Sequence, residues 1–129
     1  MKFFKEYMMI TIIIVFVILI EIITSIITTR IVENLHYYID LVEDGVDNNN
    51  VGDRMEELSS EWQKSEIKLA FFMEHNELEK INADIINLRS NVKNRNNNNY
   101  EDIKEIIDEI NYRLEYVKNK QKLSLKNIF

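Results

Sequence analysis

The chain lacks cysteine and proline altogether and contains only two glycines among its 129 residues. Without cysteine, the protein cannot form disulfides, thiolate metal sites or iron–sulfur clusters, and it has no cysteine nucleophile. The two glycines, Gly45 and Gly52, cannot make a glycine-rich phosphate-binding loop. Sandwiches and barrels need many tight turns built from glycine and proline, so an all-β architecture is disfavoured. The composition therefore predicts an all-α protein.

Charge is nearly absent from the 22 residues Met8–Thr29, where Glu21 is the one charged side chain. A helix of that length spans about 33 Å, and the hydrocarbon core of a bilayer is roughly 30 Å thick. A cleavable signal peptide is the alternative, but its apolar core is shorter and a small-residue cleavage site follows it. We therefore predict an uncleaved transmembrane anchor over residues 8–29, after a short N-terminus of residues 1–7.

The orientation of this anchor is predicted from the basic residues near its ends. Lys2 and Lys5 precede the span and Arg30 follows it, an excess that favours a cytoplasmic N-terminus. We expect a single-pass protein of the cell membrane with residues 30–129 outside the cytoplasm. Those residues carry 14 basic and 20 acidic side chains, which disfavours nucleic acid or an anionic membrane surface as a partner.

A polar stripe crosses the second half of the anchor. Glu21, Thr24, Ser25 and Thr28 are spaced so that they share one helical face. A carboxylate deep in a membrane costs about 2.5–3.5 kcal/mol and usually has a partner. The stripe is therefore a candidate contact with a second membrane helix, where hydroxylated residues favour association. The alternative is a carboxylate near the outer interface that reaches up to water.

The remaining residues contain four runs of apolar side chains at alternating spacings of three and four. They predict helices over about 30–44, 53–74, 77–94 and 100–118. Asp53 is a candidate N-cap for the second helix, and Asn76 with Glu79 forms a candidate capping box for the third. Because each stripe is one-sided, the helices are expected to bury one another in an up-down four-helix bundle. Three helices with a fourth docked on a partner protein are the alternative.

Little in the sequence points to chemistry. Glu33 and His36 form one Glu-x-x-His step of the kind used in di-iron bundles, but Phe72 takes the matching place before His75. The serines are scattered, and neither histidine has an evident serine partner. We therefore predict no catalytic residues, no metal ligands and no cofactor, and a protein that is not an enzyme.

Two further features are singled out as candidate contacts. Trp62 lies in the apolar stripe of the second predicted helix and is expected to anchor the core, the alternative being a platform for a ligand. The tail 123–129 is too apolar for a disordered segment. We expect it to fold back on the bundle, with docking to a partner as the alternative. The candidate tail contacts are Leu125, Ile128 and Phe129.

Five features of the sequence together resemble those of a known family. They are the basic start, the single apolar span, Trp62, the corner His75–Ile81 and the closing segment Leu123–Phe129. The chain resembles an uncharacterised family of small membrane-anchored proteins, domain of unknown function 4363, found mainly in anaerobic, spore-forming Gram-positive bacteria. The resemblance covers nearly the whole chain and implies neither an enzymatic activity nor a cofactor.

The expected function is that of a non-catalytic interaction or accessory subunit for another envelope or membrane protein, in an oligomeric state that the sequence leaves open. The alternative is a helical bundle that senses a small ligand and signals through a partner membrane protein. A compact apolar pocket with converging polar groups between the helices would favour sensing, whereas a solid core would favour interaction.

Overall fold

The computed structural model describes residues 2–96 and 98–128, the side chains of residues 124, 125, 127 and 128 excepted. These residues form four helices and no strand, so the predicted all-α class is confirmed for the described ranges. The helices are α1 (Lys2–Val46), α2 (Val51–Leu69), α3 (His75–Lys93) and α4 (Tyr100–Ile128).

The apolar segment and the first helix of the packed domain are one continuous helix, α1. Its 45 residues span about 68 Å. By length and composition it contains a stretch able to cross a membrane. All but one of residues 2–20 are exposed, whereas burial begins around Glu21 and is complete at Thr28 and Val32. The packed part, residues 21–128, is called the helical domain below. It begins about nine residues earlier than the predicted start at residue 30.

The helical domain is organised around a single apolar core. α1 contacts α2 and α4, and α3 contacts the same two helices. The buried residues of each helix are mostly separated by three or four positions, as predicted, because only one face of each helix is turned inward. The fully buried side chains of largest volume include Leu35, Ile39, Met55, Leu58, Trp62, Leu69, Ile81, Leu88, Ile103, Ile107, Ile110 and Leu114.

The turn between α1 and α2 depends on a close backbone approach. A Cβ atom at Gly45 would lie 3.1 Å from the Cα atom of Val51 and 3.2 Å from the side-chain oxygen of Asn50. Such contacts are tighter than a side chain normally tolerates, so glycine lets the chain reverse at this point. Gly52, by contrast, faces open space.

Two predicted helix caps are wrong. α2 begins at Val51 with Asn50 as its N-cap, so Asp53 lies inside the first turn, where a negative charge favours the helix dipole. α3 begins at His75 with Glu74 as its N-cap and has no side-chain cap bond, so Asn76 and Glu79 form no capping box. The observed N-cap lies three residues before the candidate cap in α2 and two residues before it in α3.

α4 is longer than the sequence indicated. The prediction placed its end near residue 118, yet the helix continues to Ile128. The segment 123–128 therefore extends α4 along the domain instead of forming a separate tail. Since no proline or glycine follows Tyr100, nothing in the local sequence interrupts the helix.

Candidate functional site

Trp62 lies in the core of the helical domain, with only 2% of its surface exposed. Its indole Nε1 donates a hydrogen bond to Asn82 Oδ1 at 2.9 Å, which ties α2 to α3. The ring is packed inside the protein and its polar atom is satisfied, as is usual for a buried tryptophan. Such a ring offers no exposed face on which a ligand could stack.

The polar stripe of α1 faces the helical domain of the same chain. Ser25 is buried and Thr28 is fully buried, at 0% exposure. Glu21 and Thr24 line a cleft of about 480 Å³ together with the turn after α2, which includes Phe72. Ser25 and Thr28 are thus covered by their own domain and are not available to a second membrane helix.

The buried hydroxyl of Thr28 suggests a direct test of this packing. Its Oγ1 atom has no hydrogen-bond partner among the described residues. Burying a hydroxyl without a partner costs about 1–3 kcal/mol. We expect Thr28→Val, which keeps the shape, to raise the free energy of unfolding by up to about 1 kcal/mol. Thermal unfolding followed by circular dichroism checks this, with Thr24→Val as the control at a half-buried position. A destabilised Thr28→Val would mean that the hydroxyl has a partner.

Ionic contacts join α4 to the turn between α2 and α3 at the end of the domain near Glu21. Lys120 Nζ lies 3.3 Å from Glu74 Oε1 and 3.5 Å from Glu77 Oε1. The hydrogen bond to Glu74 and the negative charge of Glu77 raise the pKa of Lys120. Gln121 Nε2 also donates to the backbone oxygen of Phe72 at 3.5 Å. α4 therefore holds the turn between α2 and α3 in place.

The predicted tail contacts are described only in part. Phe129 lies outside the described residues, and so do the side chains of Leu125 and Ile128. Leu123, earlier in the same segment, is an exposed residue of α4.

His36 joins α1 to α4. Its ring atom Nδ1 lies 2.8 Å from Asn111 Oδ1, and Nε2 lies 2.9 Å from Glu115 Oε1. Within the described ranges no group of three or more histidine and carboxylate side chains is placed to hold a metal ion. His36 therefore links α1 to α4 through Asn111 and Glu115.

A groove on the surface between α3 and α4 brings aromatic and charged side chains together. Its volume is about 250 Å³, and its lining includes Lys80, Tyr112, Arg113 and Tyr116. Tyr112 is 73% exposed, and Tyr116, one helical turn later, is also exposed. Two large aromatic side chains therefore stand on one face of α4 beside two basic residues.

Arg113 is held in this groove by two carboxylates. Its Nε donates to Asp84 Oδ2 at 2.7 Å, and a terminal nitrogen donates to Glu109 Oε1 at 2.8 Å. Burial raises the pKa of Asp84, and this effect outweighs the opposing hydrogen bond from Arg113. Burial lowers the pKa of Arg113, but the hydrogen bonds to Asp84 and Glu109 and the negative charges of both carboxylates outweigh burial, so the pKa is raised. The guanidinium is thus charged, and the two carboxylates fix its orientation.

Sequence reasoning did not single out this groove. Tyr112 and Tyr116 lie off the apolar stripe of α4, and their separation of four residues puts them on one exposed face. That spacing is the local signal that could have identified them. No local pattern in the sequence indicates that Lys80 also lines the groove, since Lys80 belongs to α3 and the tyrosines belong to α4.

The comparisons with known proteins give a single finding. A family model described as "Domain of unknown function (DUF4363)" matches residues 22–128. The matched region begins one residue after Glu21, where α1 starts to pack, and it includes the groove between α3 and α4. No curated protein and no solved structure matches the chain significantly.

Proposed function

The chain belongs to the family described as domain of unknown function DUF4363, and for this member we propose the role of a membrane-anchored interaction subunit without catalytic activity. In this proposal α1 crosses the cell membrane once, with its N-terminus in the cytoplasm. The remaining helices, together with the second half of α1, form an up-down four-helix bundle outside the cytoplasm. The bundle binds another membrane or envelope protein.

The exposed half of α1 supports the anchoring. Nearly all of residues 2–20 are exposed, and from Met8 onward they are almost entirely apolar. A soluble protein rarely leaves so large an apolar surface uncovered, since water disfavours it. A lipid environment removes that cost.

The observation that carries the interaction role is the pair of exposed tyrosines beside Arg113. Tyrosine and arginine are enriched where proteins bind one another, and they often supply most of the binding energy. Arg113 is already fixed by Asp84 and Glu109, so little side-chain entropy is lost when a partner docks. The groove, at about 250 Å³, is smaller than the roughly 300–1,000 Å³ typical of small-molecule pockets. At this groove, protein binding is therefore favoured over binding of a small ligand.

A photo-crosslinking amino acid at Tyr112 tests this proposal in the native membrane. We expect crosslinks from that position to one defined membrane or envelope protein, because the side chain would lie in the interface. The matched control carries the same amino acid at Tyr37, an exposed tyrosine on α1, which does not line the groove. In a chain without the photo-crosslinking residue, Tyr112→Ala combined with Tyr116→Ala should reduce co-purification of the protein identified by crosslinking at least tenfold, with unchanged helicity. Equal crosslinking from Tyr112 and Tyr37, or full recovery with the double variant, would contradict the proposal.

A further inference from the structure

The turn between α2 and α3, residues 70–74, lies beside α1 at the point where its exposed apolar stretch ends. Phe71 lines the same cleft as Ile20 and Thr24, so the turn and this part of α1 are at one level along the helix axis. The contacts of Lys120 and Gln121 with the turn fix it to α4 at the same level. Three segments of the chain therefore meet where α1 leaves the helical domain.

The length of the anchor brings this level into contact with the membrane. Lys5 and Glu6 are the charged residues that precede the anchor. The uncharged and almost entirely exposed stretch of α1 then runs from Tyr7 to Ile20. Those residues span about 21 Å as a helix, some 9 Å less than a hydrocarbon core of roughly 30 Å. The hydrocarbon must therefore continue about six residues beyond Ile20, alongside the turn and the end of α4.

The side chains at this level are arranged for a lipid environment. Several of those that point outward are large and apolar: Ile23 and Ile26 on α1, Leu123 on α4, and Phe71, which is 80% exposed. Glu74, at the end of the turn, is also exposed, and its charge is paired with Lys120. The polar residues of α1 at the same level, including Ser25 and Thr28, are turned into the protein. A water-exposed domain has the opposite arrangement, with polar groups outward.

Basic residues lie next to these exposed apolar side chains. Lys68, three residues before Phe71, is exposed, and so are Lys122 and Lys126 near the end of α4. Long basic side chains at a membrane boundary extend their charge to the headgroups while their methylene stems contact the apolar layer. These lysines offset nearby carboxylates such as Glu74 where the domain would meet anionic headgroups.

From these observations we propose that the end of the helical domain formed by residues 70–74 and the end of α4 inserts into the membrane interface, with Phe71 and Leu123 in contact with lipid. This inference rests on the proposed anchoring by α1 and extends it, because the domain itself becomes part of the membrane contact. Lipid hydrocarbon covers the exposed apolar side chains at this level, which are Ile23, Ile26, Phe71 and Leu123.

Spin labels on single cysteines test this in the full-length protein reconstituted into phosphatidylcholine–phosphatidylglycerol vesicles. The chain contains no cysteine, so Phe71→Cys, Leu123→Cys, Ile13→Cys and Ile86→Cys each give one labelled site. Ile13 reports on the anchor. Ile86, in α3, is 60% exposed and controls for an exposed apolar residue away from the turn. Collision rates with oxygen, which concentrates in lipid, and with a water-soluble nickel chelate give the depth of each label.

We expect the ratio of oxygen to nickel collisions at positions 71 and 123 to be several-fold higher than at position 86, and to approach the ratio at position 13. A lipid-exposed label at position 13 with water-exposed labels at 71 and 123 would overturn the inference and leave the anchor intact. A label at 71 shielded from both reagents would overturn it too, since protein would then cover the turn. A water-exposed label at position 13 would overturn the anchor and, with it, the inference.

Discussion

Replacing Trp62 by alanine is expected to lower the free energy of unfolding by about 3–5 kcal/mol. The side chain is 2% exposed, so its removal leaves a cavity in the core shared by α2 and its neighbours. Domains of this size are stable by only about 5–15 kcal/mol, which makes the loss a large fraction of the total. The midpoint of thermal unfolding should fall by more than about 10 °C.

Far-ultraviolet circular dichroism of the full-length protein in mild detergent measures this loss without relying on tryptophan fluorescence. Asn82→Ala is the matched variant, because it removes the partner of the indole nitrogen but keeps the ring. It should cost about 1–3 kcal/mol, because the N–H of the buried indole loses its hydrogen-bond partner. An unchanged midpoint for Trp62→Ala would show that the ring contributes no packing.

Alkaline phosphatase fused to the C-terminus is expected to be active, because the positive-inside rule places residues 30–129 outside the cytoplasm. Phosphatase folds only after export, whereas a fluorescent protein exported by the same route stays dark. The two fusions therefore give opposite readings for each orientation.

The charge bias behind this orientation is testable in the same assay. Lys2→Ala combined with Lys5→Ala removes both basic side chains before the span and leaves Arg30 after it. We expect a marked fall in phosphatase activity with a matching rise in fluorescence. A fluorescent, phosphatase-inactive fusion of the unaltered chain would place the helical domain in the cytoplasm.

The four helices and most of the core could be predicted from the sequence, because burial on one face leaves a regular spacing of apolar residues. Leu58, Leu88 and Ile107, for example, lie on these regularly spaced apolar stripes and are fully buried. Helix ends were less predictable. Asp53 and Asn76 have suitable side chains for caps, but the helices begin before them, since packing against neighbouring helices outweighs a cap worth about 1 kcal/mol.

The surface features depend on which helices become neighbours, and no local pattern contains that information. The groove needs Tyr112 and Arg113 from α4 and Lys80 from α3, residues more than 30 positions apart. Likewise, the spacing of Thr24 and Thr28 showed that they share a face. Only the packed structure shows that this face turns towards the domain, with Phe71 close by.

The continuity of α1 has a mechanical consequence. No loop separates the exposed apolar stretch from the packed part, so with the proposed anchor in a membrane the helix would act as a stiff lever. From Glu21 to Val46 the lever is about 39 Å long, and a tilt of about 10° at the membrane would move its far end by about 7 Å. Changes of tilt of that size accompany modest changes in bilayer thickness. A partner held by the domain would therefore experience a change in the membrane as a displacement.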